Sequence, residues 1–291
     1  MFSGAGMQVN AKKYFGQNFL KDSTVLEQII QAMPESTLPV VEIGPGLGDL
    51  TQCLLRQRRV VAYEVDRDLC VYLEEKYADE LRVGNLKLYQ GDVLEHWNKS
   101  DTLCEEAYHL VANLPYYIAT SIVLNALHDP HCRYIEVMVQ KEVAQKFAAK
   151  PKTKAFSSLA VLAQSVANVE LLMDVAPAAF DPMPKVTSAV VCMQKKADFI
   201  HGLAPVFDGK ETLEAFKHYL KTAFTAPRKQ WIKNMSARYD KTELANLLEE
   251  AKLSPQIRPH EIDTATHHHL FKQLIKVNDY VRRNEQQPAR R

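Results

Sequence analysis

Residues 40–51, VVEIGPGLGDLT, join a short apolar run to a glycine-rich turn and the start of a helix. The apolar run predicts a strand, and Gly44, Gly46 and Gly48 follow it at every second position. Glycine tolerates a sharp backbone turn, and without a side chain it lets a ligand approach the backbone closely. This stretch therefore predicts a strand, turn and helix that bind a nucleoside-containing ligand in an α/β fold.

The same alternation of strand and helix extends outward from this stretch, from about residue 38 to residue 194. Nearly continuous apolar runs are typical of strands buried on both faces, and their alternation with helices predicts a doubly wound, mostly parallel seven-stranded sheet. The predicted strands are 40–43, 60–64, 86–90, 109–112, 135–140, 169–175 and 189–193, and the predicted helices are 50–57, 68–77, 121–127 and 142–149. The link 176–188, APAAFDPMPKVTS, is too rich in proline for a crossover helix, so we expect the last two strands to be antiparallel at the sheet edge.

The pattern changes beyond Met193, where apolar residues recur at helical spacing. The recurring positions are Leu213, Phe216, Leu220, Phe224, then Leu244, Leu247, Leu248, then Leu270, Leu274 and Ile275. We therefore divide the chain into an α/β domain, 1–200, and a small all-helical domain, 201–291. Residues 1–10 are set aside from the fold, and we expect them to be disordered.

Two carboxylates follow the second and third predicted strands. Glu64 stands twenty residues after Gly44, where an acid can accept hydrogen bonds from both hydroxyls of a ribose. Asp92 follows the third strand, where it can accept from an adenine amine, although an Asp after a strand is often a turn or cap residue. The glycine spacing is G-x-G-x-G rather than G-x-G-x-x-G, which does not meet the dinucleotide fingerprint.

The fourth predicted strand ends in Asn113-Leu114-Pro115-Tyr116. The Asn113 side-chain oxygen and the Leu114 carbonyl are two acceptors that can hold both hydrogens of an adenine amine, so that its lone pair faces a methyl donor. Fixed dipoles then stabilise the positive charge that develops on the nitrogen. Pro115 fixes the turn, and Tyr116 offers a ring for base stacking. We expect Phe180 to form the other face of the base pocket, with buried packing as the alternative.

The composition narrows the classes of protein to which the chain can belong. It has 291 residues with 36 basic and 35 acidic side chains, and no apolar run approaches the roughly 20 residues of a membrane span. The five cysteines are scattered, which argues against disulfides and zinc and for a reducing cytoplasm. Of the ten histidines, 267–269 form a run that we expect to be solvated rather than metal-binding.

Basic residues cluster despite the near-neutral total charge. Lys12 and Lys13 lie near the start, and Arg228, Lys229 and Lys233 lie in a stretch, 217–241, with a single Asp. Such clusters can follow the phosphates of a nucleic acid, but ordinary solvated helix faces explain them equally well.

With these residues in place, the chain resembles the KsgA family of small-subunit ribosomal RNA adenine dimethyltransferases. The resemblance runs from about Lys12 to the C-terminal helices. It is carried by the segments KKYFGQNFL, VVEIGPGLGDLT, YEVDRDL, GDVL, NLPYYI, QKEVA and AFDPMPKVTSAV, and more weakly by RKQWIKNM and RPHEI. It implies a Rossmann-like class I methyltransferase domain that binds S-adenosylmethionine, followed by a helical RNA- or ribosome-binding domain.

The resemblance also implies roles for single residues. Asn18 and Leu20 would line the methionine side of the cofactor beside Gly44 and Gly46, Glu64 would hold the ribose, Asp92 the adenine, and Asn113 would bridge cofactor and target. Tyr116 and Phe180 would enclose a flipped base. The implied substrate is a pair of adjacent adenosines in the 3′-terminal hairpin loop of small-subunit rRNA, each dimethylated in the assembling 30S subunit. We take a cytoplasmic monomer without a metal as the default.

Two segments depart from the family pattern, and other functions remain open. KAFSSLAVLAQ lacks the family's usual Gly-Arg, and RKQWIKNM has Trp231 and Ile232 where a Thr-Leu-Arg-Asn pattern is usual; both affect the details of RNA docking. The alternatives are a large-subunit rRNA methylase of the resistance type and a ribosome-assembly factor without turnover. A DNA adenine methylase and a nicotinamide-dependent oxidoreductase explain fewer of the motifs.

Overall fold

The computed structural model describes residues 17–196, 207 and 209–285, and it describes their side chains except for residue 210 and residues 277–285. The chain forms two compact units, one from 1–148 and 167–202 and one from 149–166 and 203–291. The predicted division of the chain at residue 200 assigned residues 149–166 to the α/β domain. In the structure these residues belong to the second unit. Residues 1–10, expected to be disordered, lie outside the described residues.

A seven-stranded sheet forms the centre of the first unit. Its strands are β2 (Val40–Ile43), β3 (Val60–Glu64), β4 (Leu86–Gln90), β5 (Tyr108–Asn113), β6 (Cys132–Gln140), β7 (Ala167–Val175) and β9 (Ser188–Lys195). They lie in the order β4-β3-β2-β5-β6-β9-β7. The neighbours from β4 to β6 are parallel, whereas β9 runs antiparallel to both β6 and β7. The predicted, mostly parallel seven-stranded sheet with an antiparallel last pair at its edge is confirmed.

The helices of the first unit precede β2 or lie between these strands along the chain. They are α1 (Ser23–Ala32), α2 (Asp49–Leu55), α3 (Arg67–Lys76), α4 (Ala78–Val83), α5 (Val93–Ser100), α6 (Ala119–His128) and α7 (Lys141–Phe147). Helix α1 was not predicted, although Asp22 supplies a local start signal by accepting hydrogen bonds from the backbone N–H groups of Thr24 and Val25.

The strand pattern follows from burial on both faces. Every residue of β2 and of β3 is buried, so these segments contain long apolar runs rather than alternating polar and apolar residues. Removal of this apolar surface from water provides the main driving force for folding. The sheet is therefore a rigid base, and its carboxyl edge holds the loops that follow β2, β3, β4 and β5.

A second, two-stranded sheet positions the segment that precedes α1. Strand β1 (Phe19–Leu20) pairs antiparallel with β8 (Phe180–Asp181), and Leu20 stands opposite Phe180. The backbone N–H of Lys21 also donates to the Ala179 carbonyl at 2.8 Å. These bonds attach residues 17–20 to a distant part of the chain.

The second unit is helical, as predicted. It contains α8 (Ser158–Val166), α9 (Lys210–Ala223), α10 (Trp231–Met235), α11 (Lys241–Glu250) and α12 (Thr264–Glu285). The apolar positions at helical spacing form its core, with Phe216 and Leu244 at 0% exposure. Helix α8 was not predicted, because SLAVLAQSV is apolar almost throughout and shows little helical periodicity.

The prediction that residues 267–269 are solvated is wrong for His267. Its side chain is fully buried: its Nε2 donates to the Pro259 carbonyl, and its Nδ1 accepts from the Tyr219 hydroxyl at 2.9 Å. His268 is half-buried against Phe216, and His269 is exposed. Consecutive helical residues face different directions, so one member of the run reaches the core.

Among the helices in the described part of the chain, none is long and apolar enough to cross a bilayer. The five cysteines are free thiols. Within the same described residues, no group of three or more His, Cys, Asp or Glu side chains is placed to hold a metal ion.

The buried imidazole of His267 predicts that acid destabilises the second unit. Burial lowers the pKa of His267 from 6.5 to about 4, so between these values the unfolded chain binds a proton that the folded chain does not. Stability therefore rises with pH across this window and is lost on acidification, by roughly 3 kcal/mol at its lower end. Denaturant unfolding at a series of pH values measures the free energy of unfolding. This free energy should depend less steeply on pH for His267→Gln than for the unchanged protein.

His269→Gln is the matched control for this measurement, because it removes an exposed imidazole from the same run. It should keep the pH dependence of the unchanged protein. An equal slope for His267→Gln and the unchanged protein would contradict the assignment.

Candidate functional site

A cavity of about 1070 Å³, including the space at its mouth, lies at the carboxyl edge of the parallel strands in the first unit. Its lining residues come from five segments, within 17–20, 42–50, 63–69, 91–93 and 113–118. Ligands of open α/β sheets bind at this edge, because the loops after the strands meet there. The position of the cavity fits a small-molecule site.

The glycine turn forms one wall of the cavity, and its conformation requires glycine. Gly44, Gly46 and Gly48 have φ angles of 70°, 60° and 80°, the left-handed region that other residues adopt at a cost. A Cβ at Gly46 would lie 2.8 Å from the Phe19 ring, and one at Gly48 would lie 2.8 Å from the Tyr77 ring. The Tyr77 hydroxyl also donates to the Gly48 carbonyl at 2.6 Å. The turn is therefore braced from behind by Tyr77.

Glu64 lines the cavity and also holds the glycine turn. Its side chain is buried, and its two oxygens accept the backbone N–H groups of Gly46 at 3.3 Å and Asp66 at 2.9 Å. Burial raises the pKa of Glu64, and these N–H donors oppose that shift. A carboxylate has about four acceptor positions, so lone pairs remain for hydroxyl donors.

Asp92 caps a helix and also lines the cavity. It caps α5 by accepting the Leu94 backbone N–H at 2.8 Å, and its exposed side chain lines the cavity. The cap fixes the carboxylate in position, and its remaining lone pairs can accept from a ligand.

Glu42 lines the same cavity and was not predicted. It is 1% exposed and accepts the Thr51 hydroxyl at 2.7 Å. Burial raises the pKa of Glu42 to about 8, so the carboxyl is largely protonated at neutral pH. The signal was an acidic residue within the apolar run VVEI, where a charged side chain needs a partner.

The structure brings Asn113 together with Asn18, although 95 positions separate them. Asn113 Nδ2 donates to the Asn18 backbone carbonyl at 3.0 Å, and both residues line the cavity. Because the amide nitrogen makes this bond, the Oδ1 of the same amide is oriented away from Asn18 as an acceptor. The next residue is also fixed, since the Leu114 N–H donates to the Met138 carbonyl at 3.1 Å.

The turn after Leu114 presents two tyrosines. The Ile118 N–H donates to the Pro115 carbonyl at 3.2 Å and closes the turn around Tyr116 and Tyr117. Tyr116 is half-buried, and its hydroxyl lies 2.6 Å from Ser188 Oγ. Tyr117 is 63% exposed, and both residues line the cavity.

Phe180 is not among the residues that line the cavity. The other residues of the first unit predicted for this site do line it, including Asn18, Leu20, Gly44 and Gly46. The Phe180 side chain is 5% exposed and belongs to the same core cluster as Leu26 and Ile29. The stacking role of Phe180 stays a prediction, and in the structure its side chain packs in the core. The physical reason is the pairing of β8 with β1, which places Phe180 within the core.

The second unit carries a basic cleft. Arg228, Lys229 and Lys233, predicted to bind RNA, line it together with three further cations, Lys221, Arg238 and Arg258. No Asp or Glu is among the lining residues in the described part of this unit. Asn234 fixes the α9–α10 loop by donating to the Ala223 and Ala226 carbonyls. Lys12 and Lys13 lie outside the described residues.

A family model described as "Ribosomal RNA adenine dimethylase" matches residues 8–276 of this chain. The chain is 48% identical over 278 residues to "Ribosomal RNA small subunit methyltransferase A" of Sulfurimonas denitrificans, covering 96% of this chain and 99% of that protein. It is 47% identical over 277 residues to the protein of the same name from Campylobacter curvus, covering 95% of this chain and 96% of that protein.

Solved structures share the fold. A dimethyladenosine transferase from Plasmodium falciparum is similar with a TM-score of 0.74 and 22% identity, covering 88% of this chain and 97% of that chain. The 23S rRNA methyltransferase ErmE is similar with a TM-score of 0.68 and 26% identity, covering 89% of this chain and all of that chain.

The crowding behind the glycine turn predicts a specific effect of Gly48→Ala. The substitution combines an unfavourable φ, costing about 1–2 kcal/mol, with a clash that displaces Tyr77 and the carbonyl it holds. We expect a lower melting temperature and weaker binding of S-adenosylmethionine, the latter measured by titration calorimetry.

Gly84→Ala is the matched control, because Gly84 has a φ of 81° and nothing within 4 Å of the added carbon. It should lower the melting temperature less and leave cofactor affinity unchanged. Equal cofactor affinities for the two variants would show that the turn tolerates a side chain.

Proposed function

The chain belongs to the ribosomal RNA adenine dimethylase family, and we propose that its cavity binds both S-adenosylmethionine and one extruded adenine of the small-subunit rRNA. As a family member it is an S-adenosylmethionine-dependent rRNA adenine methyltransferase. The observation that carries the finer proposal is the Asn113 amide, which lies in the lining of the cavity with its nitrogen already bonded to Asn18.

The residues of the cavity fit the cofactor. S-adenosylmethionine carries a methyl group on a positively charged sulfur, together with an ammonium group, a ribose and an adenine. The acidic residues Asp49, Glu64 and Asp92 line the cavity and complement positive charge and hydroxyl or amine donors. We assign Glu64 to the ribose hydroxyls, Asp92 to the cofactor's adenine, and Asn18, Leu20 and the glycine turn to the methionine end.

Asn113 and Leu114 are assigned to the target amine. Its nitrogen is a poor nucleophile because its lone pair is delocalised into the adenine ring. Acceptance of its two hydrogens by Asn113 Oδ1 and the Leu114 carbonyl favours a pyramidal nitrogen with a localised lone pair. The same oxygens stabilise the positive charge that develops there, and the braced turn positions the amine without further reorganisation.

Tyr116 is assigned to the face of the target base. The bond to Ser188 holds its ring in one orientation, which lowers the entropic cost of stacking. Phe180 is predicted to form the other face of the base pocket, and its side chain packs in the core in the structure.

The small-subunit rRNA is the substrate that the comparisons favour. Identity is 47–48% to proteins named for the small subunit, against 26% to the 23S enzyme ErmE. We propose that two adjacent adenosines of the 3′-terminal hairpin loop each receive two methyl groups during 30S assembly. The five free thiols and the ribosomal substrate support a cytoplasmic location.

The second unit is proposed to dock the RNA. Its cleft concentrates six Lys and Arg side chains from α9, α10 and the adjoining loops, and such a concentration of positive charge is attractive to phosphates. This assigns the helical part of the chain to RNA or ribosome binding.

The assignment of Asn113 predicts a loss of rate rather than of binding. Asn113→Ala should lower methyl transfer about 10²–10³-fold at saturating cofactor, because it removes an acceptor from the developing charge. Mass spectrometry of unmodified small subunits after incubation with labelled cofactor measures the transfer, and co-sedimentation measures subunit binding, which should persist.

Asn18→Ala is the matched control, because it keeps the backbone carbonyl that Asn113 binds. It should weaken cofactor binding and recover most of its rate when cofactor is in excess. Unimpaired transfer by Asn113→Ala would overturn the mechanism. Absence of transfer by the unchanged protein would favour an assembly factor without turnover.

The basic cleft predicts a change in salt dependence. Replacement of Arg228, Lys229 and Lys233 by Gln should reduce the slope of log affinity against log salt by about 2–3, since each phosphate contact contributes slightly less than one. Filter binding of small-subunit rRNA at several salt concentrations measures this slope.

Replacement of Lys241, Lys272 and Lys276 by Gln provides the control, because these exposed lysines of the same unit do not line the cleft. Equal slopes for both triple variants would place the docking surface elsewhere.

A further inference from the structure

The turn that carries Tyr116 also carries Tyr117, for which the mechanism above has no use. Tyr117 is 63% exposed although its ring is large and largely apolar. It lines the same cavity as Tyr116. Among the cavity residues in the described part of the chain, it is the one exposed aromatic side chain.

The two tyrosines occupy adjacent positions with different environments. They are the central residues of the turn closed by Ile118 and Pro115. Tyr116 is half-buried and bonded to Ser188 in the wall, whereas Tyr117 is mostly in solvent. The turn therefore places one half-buried and one exposed tyrosine side by side in the lining of the cavity.

The charge around the cavity indicates which part of an RNA the second ring meets. The acidic residues Asp49, Glu64 and Asp92 line the cavity and disfavour a nearby phosphate. A phenol ring is neutral, and any nucleobase can stack on it through its π-face. An extruded adenine also remains covalently linked to its neighbours, so an adjacent nucleotide must leave through the mouth.

We propose that Tyr117 is a second stacking subsite, which binds the base adjacent to the target adenosine. This rests on the proposed function and extends it, since it makes a single-stranded dinucleotide step the unit that the cavity recognises. Because the partner is a π-face, the subsite contributes affinity without selecting a particular neighbouring base.

An experiment that combines substitution of the tyrosine with removal of a single RNA base tests the subsite directly. The probes are short single-stranded RNAs with one adenosine flanked by uridines, in which the flanking nucleotide on either side carries its base or is abasic. Dissociation constants come from fluorescence anisotropy at low salt with saturating S-adenosylhomocysteine. The proteins are the full chain, Tyr117→Ala, Tyr117→Phe and, as the control, Tyr89→Ala, an exposed tyrosine outside the cavity.

Tyr117→Ala should weaken binding of the RNA that carries both flanking bases about tenfold. It should not change binding of the RNA that lacks the flanking base which stacks on Tyr117. Tyr117→Phe should stay within about twofold of the unchanged protein, because the ring is kept. Tyr89→Ala should have no effect. Equal weakening on every RNA, or failure of the unchanged protein to discriminate base-containing from abasic RNA, would overturn the subsite.

Methyl transfer to unmodified small subunits separates this proposal from the function on which it rests. Transfer that depends on Asn113, combined with no effect of Tyr117→Ala on RNA binding, would leave the proposed function intact and overturn the subsite alone. Absence of transfer by the unchanged protein would overturn both.

Discussion

The site depends on the buried carboxylate of Glu64, which connects the end of one strand to the turn after its neighbour. A buried carboxylate is costly unless hydrogen bonds replace its hydration, and here the Gly46 and Asp66 N–H groups do so. The left-handed conformations of the glycine turn and the position of Glu64 therefore support each other. Both depend on the parallel pairing of β2 with β3, because this pairing places their carboxyl ends at one edge.

The orientation of the Asn113 side-chain amide determines whether it presents a donor or an acceptor to a ligand in the cavity. An asparagine side chain presents a donor and an acceptor, and an unconstrained amide can present either. The Asn18 carbonyl takes the donor of Asn113, and in the proposed mechanism the acceptor is then available to the adenine amine. The segment that supplies this carbonyl is itself attached by the pairing of β1 with β8. In the proposed mechanism, methyl transfer therefore relies on a contact between distant parts of the chain.

Local charge is more informative than total charge in this protein. The formal net charge is only +1, yet acids line the cavity of the first unit and six cations line the cleft of the second. An acidic cavity suits a cationic cofactor and a neutral base, whereas a basic cleft suits phosphates. The sequence located a basic cluster within residues 217–241, but Arg258 joins it only after the helices pack.

The sequence by itself determined the seven strands, the glycine turn and the NLPY turn, because apolar runs and turn residues act over a few neighbouring positions. Tertiary structure alone decided that Asn18 orients Asn113, that His267 is buried while His269 is exposed, and that Phe180 packs in the core. It also decided that residues 149–166 join the second unit. Each of these outcomes depends on contacts between residues far apart in the chain, and a local pattern contains no information about which distant surface will cover it.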